Sequence, residues 1–120
     1  MAIADDNLAF LAAAANHVSG LPGFTLAGTA NSAHQALALV ESAMPDVLLL
    51  DLGLAPKRAL DLVRRVKAAP GAPAVVALAL FHTPEALAAA KRAGADAFVG
   101  KESFVAGLRQ ALASLFPAGA

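Results

Sequence analysis

Short apolar runs alternate along this chain with longer segments whose apolar residues recur at helical spacing, and the alternation repeats five times. The runs cover residues 1–4, 24–28, 47–50, 74–80 and 97–99. The helical patterns follow over residues 7–19, 31–44, 60–68, 83–93 and 103–115. Strands that alternate with helices of this length imply a parallel sheet covered on both faces. The third run, Val-Leu-Leu-Leu, has no polar alternation, as expected of a strand buried on both sides.

The segment ends carry their own signals. Gly20 and Gly94 are placed to stop helices, and Pro45 ends the second. Ser32 with Gln35 forms a capping box. Thr83 reads as an N-cap with Pro84 at the first helical position, and Ser103 as the cap of the last helix.

At 120 residues the chain fits one domain spanning 1–120, large enough to bury a core without a staple. Lys plus Arg equals Asp plus Glu at nine each, so the electrostatic footprint of a nucleic-acid or membrane-surface binder is lacking. The absence of cysteine excludes a disulfide scaffold and cysteine-ligated zinc, and fits a reducing cytoplasm. Mean hydropathy is +0.64, but alanine drives it. The apolar run over residues 73–81 falls far short of the roughly 18 residues a spanning helix needs. No basic flank precedes an apolar core at the N-terminus, so a signal peptide is not expected.

Sites in open α/β sheets lie beyond the carboxyl ends of the strands. Asp5 and Asp6 follow the first run, Asp51 follows the third, and Lys101 follows the fifth. Carboxylates gathered at one edge repel one another, a conflict that a magnesium ion, with its preference for oxygen ligands, resolves. Aspartate can act as a nucleophile toward phosphorus, and lysine can neutralise a phosphoryl oxygen. An acid pair, a lone Asp and a lone Lys thus make a coherent phosphoryl-transfer site. Each residue alone reads more simply: a capping or solvated acid pair, a turn aspartate, a surface lysine.

In order and spacing, three segments carry a resemblance: Ile3-Ala4-Asp5-Asp6, Pro45-Asp46-Val47-Leu48-Leu49-Leu50-Asp51-Leu52, and Ala93-Gly94-Ala95-Asp96-Ala97-Phe98-Val99-Gly100-Lys101. The chain resembles the receiver domain of two-component response regulators, in wording nearest to receivers joined to helix-turn-helix output domains. The resemblance implies a doubly wound, flavodoxin-like sheet of five strands in the order 2-1-3-4-5. It implies that Asp51 accepts a phosphoryl group from a sensor histidine kinase or phosphotransfer protein. Asp6, Asp51 and the Gly53 carbonyl would ligate Mg2+, with Asp5 assisting through water. Lys101 would contact the phosphoryl group, and Phe98 matches an aromatic switch position. The face formed by the fourth helix, fifth strand and fifth helix would serve partners or a homodimer, and lends some weight to Lys91 and Arg92.

Some positions depart from the family pattern. Ala79 stands where a Ser or Thr usually closes the fourth strand, Glu102 follows Lys101 in place of a common proline, and residues 54–59 replace a glycine-rich turn with Lys57 and Arg58. Thr83 reads as a helix cap more naturally than as a substitute switch. Two functions therefore stand side by side: a phosphorylatable receiver with atypical switching, and a degenerate receiver that works as a phosphorylation-independent interaction module. A separate enzyme on the same fold is disfavoured, since no P-loop, dinucleotide fingerprint or triad is present; the chemistry expected is at most self-phosphorylation from a small donor and self-dephosphorylation. His17, His34 and His82 read as surface residues, His82 being the nearest to the expected pocket. The cluster Arg64, Arg65 and Lys67 reads as a solvated basic face.

Overall fold

The computed structural model describes residues 1–54, 56–80 and 83–117, with backbone alone at Pro56 and Lys57. The elements alternate as β1 (Ala2–Ala4), α1 (Leu8–Ser19), β2 (Gly28–Ala30), α2 (Ala33–Ala43), β3 (Val47–Asp51), α3 (Pro56–Ala68), β4 (Ala74–Ala79), α4 (Pro84–Ala93), β5 (Ala97–Gly100) and α5 (Phe104–Leu115). All neighbouring strands pair in parallel, in the order β2-β1-β3-β4-β5. The strand order reverses beside β1, which opens a crevice at the carboxyl ends of β1 and β3.

The period of two along a strand divides the core into two layers. Ile3, Val47, Leu49, Val76, Leu78 and Val99 meet Leu11, Val18, Phe104, Leu108 and Leu112 of α1 and α5. Ala2, Ala4, Leu48, Leu50 and Val75 meet Ala36, Ala59, Leu62, Val63, Val66 and Ala93 of α2, α3 and α4. Leu48, Leu49 and Leu50 are completely buried, each contributing about 1.5–3 kcal/mol by leaving water. The uninterrupted apolar run of β3 is what a central strand with both faces covered requires.

Side chains cap three helices, two of them, at Ser32 and Thr83, where the sequence signals placed them. Asn7 Oδ1 accepts from Phe10 N at 3.1 Å, Ser32 Oγ from Gln35 N at 3.1 Å, and Thr83 Oγ1 from Ala86 N at 3.1 Å. Gln35 closes its box by accepting from Asn31 N at 3.0 Å. Gly94 ends α4 at φ 114°, a left-handed conformation that glycine adopts without a Cβ penalty.

Several boundaries differ from expectation. The strand expected over residues 24–28 forms at Gly28–Ala30 instead, because β1 is only three residues long and its ladder begins at Ala2↔Gly28. Phe24 and Leu26 pack on the core without joining that ladder. Helix α3 starts at Pro56 rather than at residue 60, a position where proline's missing N–H has no helical partner to lose. Strand β4 stops at Ala79, leaving Leu80 exposed. Ser103 stands at the N-cap of α5 but its side chain makes no capping bond; a 3₁₀ turn over Lys101–Ser103 leads into the helix.

Candidate functional site

The register that sets Ala4 beside Leu50 brings the next residues, Asp5 and Asp51, out at the same rim. Asp5 is fully buried and Asp51 almost so. Asp5 Oδ1 accepts from Asn7 N at 2.9 Å, which ties the acid to the first turn of α1. Asp51 Oδ1 accepts from Gly53 N at 3.1 Å. Exposed Asp6 completes a cluster in which Asp5, Asp6 and Asp51 each offer an oxygen within 4.8 Å of the others. The expected three acids therefore converge.

Lys101 arrives from the opposite side, just past β5. Its Nζ lies 2.6 Å from Asp5 Oδ2 and 3.4 Å from Asp51 Oδ2. The closer contact is an ion pair without an aligned hydrogen bond, and Asp5 Oδ2 is buried. Lys101 also sits over the Phe10 ring, 4.5 Å from its centroid. Phe10 in turn meets Phe104 edge-on at 5.2 Å. Phe10 lies within the helical pattern over residues 7–19 but carries no chemical motif that would single it out in the sequence. The meeting of ring and ammonium joins residues on separate elements, and no local pattern encodes it.

Burial pushes the Asp51 carboxyl above its usual range, and the adjacent Asp5 charge pushes the same way; the Gly53 N–H and the Lys101 ammonium oppose them. Three carboxylates facing one ammonium leave a surplus of negative charge that favours a hard cation. The donor set fits magnesium: it consists of oxygens, one of them buried and without a hydrogen bond. Gly53 keeps the approach open, since a Cβ there would stand 3.2 Å from Asp51 Oδ2.

The other expected positions divide. Ala79 ends β4, in register with Gly100 and one residue past Leu78, the partner of Asp51, so the strand end beside the rim carries a methyl group and no hydroxyl. Thr83 is engaged as the α4 cap. Phe98 lies half-buried on β5, lining a cleft of about 400 Å³ with Ser103, Gly107 and Gln110 of the α5 side. His34 is exposed, while His17 departs from the surface reading: it is half-buried with its ring edge-on to Phe104 at 5.9 Å. His82 lies outside the described residues.

Arg64 and Arg65 of the basic face are exposed as expected, and Lys67 alone departs from that reading. Lys67 bonds Asp96 Oδ2 at 2.8 Å and the Pro73 carbonyl at 3.1 Å, and Arg64 pairs with Asp61 at 2.7 Å. Lys67 thus braces α3 against the turn before β5. Lys91 and Arg92 are exposed in the last turn of α4.

A family model described as the response regulator receiver domain matches residues 1–113. Solved structures share the fold across nearly the whole chain. The signal receiver domain of the response regulator NarL from Mycobacterium tuberculosis superposes with a TM-score of 0.86 at 22% identity, covering 95% of this chain and 92% of that one. A LuxR-family two-component response regulator from Aurantimonas gives 0.85 at 24% identity, covering 95% of this chain and 81% of that one. RcsB from Salmonella enterica serovar Typhimurium, bound to promoter rprA in the presence of phosphomimetic BeF3−, gives 0.82 at 19% identity, covering 98% and 68%. Among the described residues no helix is long and apolar enough to cross a membrane.

Proposed function

This chain belongs to the response regulator receiver domain family, and on that premise we propose that Asp51 accepts a phosphoryl group from a partner histidine kinase or phosphotransfer protein. Receivers of two-component systems work in this way in general, with Mg2+ as the cofactor. The observation that supports the reading here is the meeting of Asp5, Asp6 and Asp51 within 4.8 Å, with Lys101 beside two of them.

An Asp51 carboxylate oxygen attacks phosphorus as the phosphorus–nitrogen bond to the donor's phosphohistidine breaks, and the imidazole leaves with that electron pair. Asp51 must be ionised to attack, against the effect of its burial. Asp5, Asp6, Asp51 and the Gly53 carbonyl would hold magnesium. When bound, the ion offsets carboxylate repulsion and neutralises charge on the phosphoryl oxygens. Lys101 meets a phosphoryl oxygen as a point charge. Gly53 N–H orients Asp51 by binding Oδ1 and leaves Oδ2 toward Lys101.

Ala79 supports atypical switching, because a methyl group cannot bond the phosphoryl oxygens and draw the following loop inward. The same residue favours a second reading, a degenerate receiver that binds its partner whether or not Asp51 is modified. We further propose residues 1–120 as one receiver domain in the cytoplasm. It would use the α4–β5–α5 face, including Phe98, for a partner or a second copy, and would make no nucleic-acid contact itself. RcsB binds its promoter in the presence of a phosphomimetic, and by analogy a DNA-binding output is a fitting target for this receiver.

Acetyl phosphate labelling with mass mapping tests the first reading. Magnesium-dependent modification at Asp51, lost in Asp51→Asn, is expected. Full partner binding and output by Asp51→Asn would favour the second reading.

A further inference from the structure

Lys101 is held on three sides: by Asp5 at 2.6 Å, by Asp51 at 3.4 Å and by the face of Phe10 at 4.5 Å. Only the two acids belong to the proposed phosphoryl-transfer chemistry. The ring stands on α1, which begins just after the acid pair, and the edge of Phe104 at the start of α5 fixes it in turn. Lys101 therefore touches α1 through the Phe10 ring, which is itself packed on α5 through Phe104.

We propose that Phe10 is a positioning residue for Lys101. An ammonium on a flexible four-carbon stem has many rotamers. Its attraction to the carboxylates brings it to 2.6 Å from Asp5 Oδ2, an oxygen that a bound metal ion would contest. The negative face of a ring offers the ammonium a second site of low cost, and it does so without supplying a ligand to the metal. Phe10 thus gives the charge a fixed resting place beside the acidic cluster, from which it can exchange the carboxylates for a phosphoryl oxygen as its partner. The proposal rests on Lys101 serving the phosphoryl group, as set out above, and adds a residue outside the acid and lysine set.

The test has two arms. The first uses the protein without ligands. By NMR, the Lys101 side-chain methylenes carry an upfield ring-current shift, which Phe10→Leu removes and Phe10→Tyr keeps. The second titrates magnesium beryllofluoride. Phe10→Leu weakens binding by about 3- to 30-fold, the span of a cation–π contact from exposed to desolvated settings, while Phe10→Tyr restores it. In a Lys101→Met background, Phe10→Leu has no further effect. Equal losses from Phe10→Leu in both backgrounds would show a packing role alone and overturn the proposal, as would unshifted Lys101 methylenes in the parent protein. Failure of the parent protein to bind beryllofluoride counts against Asp51 as phosphoacceptor, and the ring-current arm then decides Phe10 alone.

Discussion

The ammonium of Lys101 lies 2.6 Å from the buried Asp5 Oδ2, an oxygen with no aligned hydrogen-bond donor. A contact of this kind is held by charge, and the two partners come from opposite ends of the chain. Breaking a buried pair by deleting one member leaves an uncompensated charge. Lys101→Met is therefore expected to lower unfolding stability by about 3 kcal/mol in metal-free buffer. Saturating magnesium should recover much of that loss, since the cation neutralises the same acids. Urea unfolding with and without magnesium measures both quantities; an unchanged midpoint in metal-free buffer would refute the pairing as a source of stability.

The raised Asp51 carboxyl has a definite consequence for pH. The folded protein holds the proton more tightly than the unfolded chain, so the contribution of Asp51 is fully present below the unfolded carboxyl's range. It is lost as pH rises through the higher folded value. At neutral pH without metal, Asp51→Asn should melt higher than the parent. The difference should shrink on acidification and reverse sign with magnesium, which binds more tightly to the protein that keeps all three acids. Thermal melts across acid to neutral pH check the slope.

Ala79 ends β4 with a buried methyl group at the rim of the site. Ala79→Thr supplies the hydroxyl that the family pattern has there. On adding magnesium beryllofluoride, the parent protein should show amide shift changes concentrated near Asp5, Asp51 and Lys101. The Ala79→Thr protein should extend them into α4 and β5. Identical shift maps for the two proteins would mean that the missing hydroxyl does not limit the response.

Asp96 accepts from Val75 N and from Lys67 Nζ, both at 2.8 Å. Asp96→Ala leaves a strand N–H and a half-buried ammonium without this acceptor, at a cost of about 1–3 kcal/mol. The brace belongs to α3 and the turn before β5, so beryllofluoride affinity should stay within about twofold, the scatter expected of distant, independent sites. Chemical unfolding together with titration separates the two effects.

Much of this architecture was legible locally. The run at residues 47–50 has no polar interruption, and it became the central β3. Ser32 and Thr83 accept backbone N–H groups three residues ahead, because capping depends on a few adjacent atoms. The edge strand was displaced by several residues, since β2 is bounded by the length of β1 across the ladder and not by its own apolar content. Lys67 looked like solvated charge because its acceptor, Asp96, lies 29 positions away.

The order of residue types along the chain determined the alternation of strands and helices, and so the parallel sheet with acids at its carboxyl edge. It determined this because periodicity and capping act over a few neighbouring residues. Which groups touch was left to the tertiary structure: Lys101 against Asp5, the Phe10 ring beside its ammonium, the Lys67 brace, and the burial that raises Asp51. Those depend on strand register and on how closely each helix lies against the sheet, and both are set only when the whole core packs.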